Sequence, residues 1–213
     1  YIPQRKQVNR KIYELILQKI NFENWIKKIL SCGVVSIDCE TTSLNAVEAK
    51  IVGFSMSVKN SEACYIPLEH TNLKSEIDLD YFVSQIKIIL EDSSILKIGQ
   101  NIKYDLIILK KLGIKMKNLD DTMLMSYVLR TGQRGHGLDE LSIDYLSHST
   151  IKYSDVTTID KKKVLFSEIP IEIAKDYAAE DADITFRLWE ILKILLIKDN
   201  LCLLYTSDAA DDR

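Results

Sequence analysis

The sequence predicts an α/β fold: a mixed sheet, three antiparallel strands and then parallel ones, flanked by helices. Three observations predict it. Residues 34–37, 51–58 and 63–68 (VVSI, IVGFSMSV and ACYIPL) are successive apolar runs of strand length. From residue 79 onward, stretches of helical periodicity alternate with a short apolar run, the mark of strand–helix crossovers. A long helical stretch, 170–199, follows Pro170, which suits a first helical turn.

Taken in order, residues 11–30 (KIYELILQKINFENWIKKIL) carry apolar residues at helical spacing and predict a helix ahead of the sheet. Ser31 to Gly33 then turn the chain into the first strand. Lys59 to Glu62 form a hairpin loop, so the first three strands make a meander with the first strand central. LDYFVSQIKIILE (79–91) is an amphipathic helix and ILKIGQ (95–100) a short buried strand. Asn101 is the expected side-chain cap of the helix IKYDLIILKKL, and Gly113 its stop. DTMLMSYVLR (121–130) begins with a capping Asp, TGQRGHG (131–137) is a glycine-rich loop, and 138–148 is a further helix. Residues 150–168 read as irregular and carry the run Lys161 to Lys163. This succession is that of a ribonuclease H-like sandwich. It divides into an N-terminal helical segment or linker (1–30), a main domain (31–200) and a tail (201–213). Residues 205–213, YTSDAADDR, lack apolar periodicity and resemble translated adapter sequence. A start at Tyr1 suggests a fragment.

The 213 residues are 46% hydrophobic and 28% charged, which suits a globular protein. No apolar run reaches the ~18 residues that a membrane span needs. A net charge of −3 argues against a broad nucleic-acid groove, yet leaves room for a small site that meets phosphate through metal. Cys32, Cys39, Cys64 and Cys202 fit neither a metal knuckle nor a disulfide scaffold and read as free thiols of a reducing cytoplasm. His70, His136 and His148 have no zinc spacing.

The chemistry lies in the acids. Asp38 and Glu40, two apart at the end of an apolar strand, point to one face. Alone, such a pair is commonly a solvated edge. Held close inside a fold, two carboxylates raise each other's pKa unless a cation sits between them, and oxygen ligands suit a hard divalent ion. Asp105 sits on a helix amid Leu106, Ile107 and Leu109. In YAAED, Tyr177 and Asp181 lie four apart on one helical face, with two alanines between that allow close approach. Glu180 and Asp183 fall on other faces and are expected in solvent.

Together DCETTSL (38–44), QNIKYD (100–105) and YAAEDAD (177–183), with DTMLMSYVL (121–129) between the last two, resemble the 3′–5′ exonuclease (proofreading) domain of bacterial DNA polymerase I, in the DEDDy exonuclease superfamily. The resemblance runs from about residue 22 to 199. A tyrosine four residues before the last acid, and Asp176 five before it, place the sequence in the tyrosine branch.

The resemblance implies two divalent ions, Mg²⁺ with Mn²⁺ as the alternative, roughly 4 Å apart across the scissile phosphodiester. Asp38, Glu40 and Asp181 would hold one, Asp38 and Asp105 (through water) the other, and Tyr177 would orient the attacking water. It further implies 5′-mononucleotide release from a single-stranded DNA 3′ end, an attached polymerase domain, and a cytoplasmic, nucleoid-associated location. Leu44 matches a residue that wedges against the terminal base and Tyr153 one that stacks on a base. Gln100, Asn101 and Tyr104 flank the second motif as further strand contacts. Three alternatives remain: an RNase D-like exoribonuclease, a quiet domain bracing a polymerase, and a general nucleic-acid-binding module.

Overall fold

The computed structural model describes residues 8–71, 73–159, 161–202 and 205. Its six-stranded sheet runs β1-β4-β3-β2-β5-β6, with β1 Glu14–Leu15, β2 Val34–Thr41, β3 Ile51–Lys59, β4 Glu62–Pro67, β5 Leu96–Gly99 and β6 Leu119–Asp121. Strands β2, β3 and β4 are the expected antiparallel meander, and β2–β5 and β5–β6 pair parallel. The meander's first strand, β2, therefore sits inside the sheet.

Alternation along β2 sorts its two faces. Val35, Ile37 and Cys39 enter a core shared with Phe22, Trp25, Ile26 and Ile29 of α1 (Lys19–Cys32), Phe82 and Ile86 of α2 (Leu79–Leu90), and Ile108 and Leu109 of α3 (Ile102–Lys111). Ser36, Asp38 and Glu40 face the other way. Along that side lies α7 (Ile171–Lys198), whose Ala178, Ala179 and Ala182 are fully buried. The Ser36 hydroxyl donates to the Ala182 carbonyl at 2.7 Å, and Ser55 and Ser57 are as buried as Ser36. Small residues on both surfaces bring helix and sheet close. The alanines of YAAED serve the sheet itself.

Several expectations need correction. The helix expected over 11–30 forms only as α1. Before it, Arg10–Ile12 make a 3₁₀ turn, and β1 pairs in parallel with β4. The open edge of β4 offers backbone partners, such as Tyr65 O for Ile16 N at 2.9 Å, which a local helix would forgo. α1 runs through Ser31 and Cys32, and Gly33 caps it at φ +70°.

Asn101 precedes α3 but makes no side-chain cap and is itself left-handed, φ +61°. The cap comes from Asp121, which accepts from Asn101 N (3.1 Å) and Ile102 N (3.0 Å), and also from Met123 N at the start of α4 (Thr122–Leu129). Residues 138–148 form α5 (Leu138–Leu141) and then a π-helical turn, Ser142–Leu146. The irregular stretch resolves into α6 (Tyr153–Val156), a hairpin of β7 (Thr158–Ile159) and β8 (Lys162–Lys163), and a 3₁₀ turn, Phe166–Glu168. Of the tail, residues 203–204 and 206–213 lie outside the described residues. The Tyr205 hydroxyl accepts from Asp121 N at 2.8 Å.

Candidate active site

Asp38, Glu40 and Asp181 each offer a carboxylate oxygen, and the three oxygens lie within 4.8 Å of one another. The pleat of β2 aims the first two at α7, and the serine–alanine contact brings Asp181 down onto them. Gly53 pairs with Glu40 across the ladder. A Cβ there would stand 2.0 Å from the Tyr65 hydroxyl, so the bare glycine lets that phenol pack under the site. The Tyr65 hydroxyl is paired with His70 Nε2 at 2.8 Å.

Asp105 is 2% exposed on α3. Cys39 N, between Asp38 and Glu40, donates to its Oδ1 at 3.0 Å. Asp105 thus lines the same cleft and is tied to the strand that carries the first two acids, outside the tightest trio.

The electrostatics are those of an uncompensated cluster. Burial pushes the Asp38 carboxyl up to about 6, opposed by the Cys39 amide. Glu40 is raised well above the ordinary range, first by burial and then by Asp38, Asp181 and Asp105. Burial and Asp38 likewise raise Asp105 and Asp181. Among the described residues none of the four forms an ion pair with Lys, Arg or His. Glu40 Oε1 is buried without a hydrogen-bond partner. Converging hard oxygens with an orphaned, buried carboxylate atom fit a divalent cation.

Tyr177, one turn before Asp181, shares a side-chain hydrogen bond with it. Burial and the surrounding acids raise the phenol far above its ordinary value, so it stays protonated. Tyr153 and Phe166 flank it edge-on, with centroids 6.1 and 5.8 Å away.

These groups floor an open cleft of about 640 Å³ that the other sequence-selected residues also line. Leu44 is 96% exposed and Tyr153 48% exposed, both presenting apolar surface to solvent. Asn101 is exposed. Gln100 and Tyr104 are engaged internally. The Gln100 amide donates to His136 O (2.8 Å) and accepts from Thr122 Oγ1 (2.5 Å). The Tyr104 hydroxyl lies 2.5 Å from both Thr41 Oγ1 and Ser43 O, bracing the loop that carries Leu44.

Glu180 and Asp183, expected in solvent, are wholly buried. Glu180 is paired with Arg10 (2.6 Å) and His148 Nε2 (2.8 Å) and accepts from Ile151 N (2.7 Å). Asp183 accepts from the Tyr13 hydroxyl (2.7 Å), Ser61 N (2.8 Å) and Arg187 Nε (3.0 Å). Helical spacing put them off the catalytic face. Their partners, from segments 122 to 170 residues away in the chain, leave no local signal. Asp121 was legible as a cap for α4, but its second role at α3 was not.

The sequence model of a family described as 3′-5′ exonuclease matches residues 13–197. DNA polymerase I of Rhizobium leguminosarum is 39% identical over 212 residues, covering 91% of this chain and 21% of that protein. DNA polymerase I of Pseudomonas aeruginosa is 40% identical over 185 residues, covering 84% and 20%. The chain thus spans about a fifth of the length of these relatives.

Among solved structures, Escherichia coli RNase D superposes with a TM-score of 0.70 at 16% identity, over 93% of this chain and 48% of that one. Brucella melitensis NrnC with bound Mg²⁺ superposes at 0.67 and 23% identity, over 92% and 86%. At those identities the likeness is one of fold, the ribonuclease H-like fold.

Proposed function

The chain belongs to the 3′–5′ exonuclease domain family of DNA polymerase I, and on that premise we propose that its cleft releases 5′-mononucleotides from single-stranded DNA 3′ ends as the proofreading site of a longer polymerase. The family hydrolyses phosphodiester bonds and depends on divalent metal. Two ions, Mg²⁺ or in its place Mn²⁺, are the reading for this chain, with Asp38, Glu40 and Asp181 holding one and Asp38 and Asp105 the other. When bound, such ions supply a water of lowered pKa and positive charge beside the leaving oxygen.

The observation that carries this reading is the trio of carboxylate oxygens within 4.8 Å, one residue of which has a buried, unpartnered atom. The chain's own groups do the rest. The Cys39 amide fixes Asp105, and the sheet fixes Asp38 and Glu40. Tyr177, protonated at neutral pH, serves as a hydrogen-bond donor that orients water rather than as a base. Leu44 and Tyr153 offer apolar and aromatic surface to the terminal bases, and stacking of this kind is worth ~1–3 kcal/mol per base. Asn101 supplies a polar contact at the rim, and Gln100 and Tyr104 shape the wall. Among the described residues no helix is long and apolar enough to cross a membrane.

Asp38→Ala tests the assignment. It is expected to abolish Mg²⁺-dependent 3′ trimming of a single-stranded DNA oligonucleotide, a loss of about a thousandfold or more, while the urea unfolding transition is kept. Retained trimming would sink the assignment. A matched RNA oligonucleotide separates the exoribonuclease reading, which rests on likeness of fold, from the DNA reading, which rests on relatives named as DNA polymerases.

A further inference from the structure

The lysine run 161–163 has no place in the site described so far. In the structure it forms one arm of the β7–β8 hairpin, with Thr158 opposite Lys163 and Ile159 opposite Lys162. All three lysines are exposed, and among the described residues none of them is in an ion pair. The hairpin is anchored to the helix that carries Tyr153. The Thr157 hydroxyl donates to Tyr153 O at 2.8 Å, and Val164 N donates to Thr157 O at 3.0 Å. Below, Val156 and Phe166 are buried against Val52 and Tyr65.

A second cavity of about 550 Å³ opens between hairpin and helix, with Ser154, Lys163 and Leu165 on its walls. It shares one lining residue with the acidic cleft, Tyr153. That ring stacks on buried Phe166, with centroids 6.2 Å apart and planes 6° from parallel, so its place on the ridge between the two hollows is set.

The charges of the two hollows are opposite in what they offer. The cleft gathers four carboxylates, which suit metal and repel every phosphate that no metal screens. A strand with its 3′ end in the cleft still carries phosphates upstream of the scissile one. Past Tyr153 they would meet the ammonium groups of the hairpin. Exposed Asp155 and Glu168 stand nearby, which disfavours capture of an isolated anion and favours a chain already held at its end.

We propose that the groove between α6 and the β7–β8 hairpin is a second subsite for the single strand, taking phosphates 5′ of the scissile one, with Lys161, Lys162 and Lys163 as their ligands and Tyr153 as the divider. This subsite rests on the exonuclease reading above. Its test is therefore split between binding and hydrolysis.

The test is a Lys161→Gln, Lys162→Gln, Lys163→Gln variant, compared with the unchanged chain and with the corresponding triple arginine variant. With Mg²⁺, KM for a deoxythymidine decanucleotide is expected to rise about tenfold with kcat unchanged, since each phosphate contact adds to affinity through counterion release. The slope of log affinity against log salt, by fluorescence anisotropy of the labelled decanucleotide, should shrink by about 2 units for three lost single-strand contacts. Arginines should restore both. Hydrolysis of the p-nitrophenyl ester of thymidine 5′-monophosphate, too short to reach the hairpin, should not change. An unchanged KM and salt slope would overturn the subsite. If the unchanged chain cleaves neither substrate, the exonuclease reading fails, and anisotropy still decides the groove: lysine-dependent binding upholds it, and lysine-independent or absent binding overturns it.

Discussion

Two sets of acids lie within four positions on α7, and they have opposite fates. Glu180 and Asp183 are sealed from solvent, yet each is met by a guanidinium and at least one further donor. Asp181, between them, turns toward Asp38 and Glu40 and meets like charge, with Tyr177 as its local donor. Burial with partners is scaffolding: Glu180 ties Arg10 and the 148–151 loop to α7, and Asp183 ties Tyr13 and the β3–β4 turn. Burial without a cation leaves electrostatic strain in the free protein, and the strain is what a metal relieves. The quiet acids hold the helix against the strain of the active ones.

The comparison can be broken by removing a quiet acid. Glu180→Ala leaves Arg10 and His148 without their partner. It should lower stability by about 3 kcal/mol, at the low end for a broken buried pair because Arg10 is partly exposed. Glu40→Gln in metal-free buffer should cost nothing or raise stability, because it deletes a repelled charge. Urea unfolding of the two variants checks this, and equal losses would undo the distinction.

It can be sharpened with pH. The folded state holds protons on Asp38, at about 6, and on Glu40, Asp105 and Asp181 more tightly than ordinary carboxylates do. In EDTA, stability should therefore be greatest below the ordinary carboxylate range near ~4. It should fall as pH rises through 6, on the order of 1–2 kcal/mol after discounting for the open cleft. Saturating Mg²⁺ takes the place of those protons and should flatten the decline. A urea midpoint in EDTA that rises between pH 5 and 7.5 would contradict the cluster's electrostatics.

The smallest effect belongs to a charge satisfied by neutral dipoles. The Lys111 ammonium, on α3, donates to the carbonyls of Ala46 (3.2 Å), Val47 (3.0 Å) and Ala49, under the loop that bears Leu44. Lys111→Met should cost about 1 kcal/mol. Faster amide hydrogen exchange confined to residues 43–49 is the expected signature, and unchanged exchange there would show that the clamp does not hold the loop.

Legibility followed the range of the interaction. Asp38 and Glu40 were visible because a strand's period of two is local, and Tyr177 and Asp181 because a helix stacks residues four apart. The meander, the crossovers and the long final helix were visible for the same reason. The burial of Glu180 was not, since Arg10 lies 170 residues away. Nor was the fate of residues 13–16, whose apolar pattern suits a helix until an unpaired strand edge is beside them. The cap of α3 was assigned to the adjacent Asn101, whereas Asp121 reaches it across the β5–β6 pair.

By itself, then, the sequence determined which acids exist, which face of its own element each one occupies, and the order in which strands and helices follow. Tertiary structure alone decided which acids are neutralised and which are left to repel. A charge's energy depends on what stands within a few ångströms of it, and for these carboxylates those neighbours arrive only when α7 closes on the sheet.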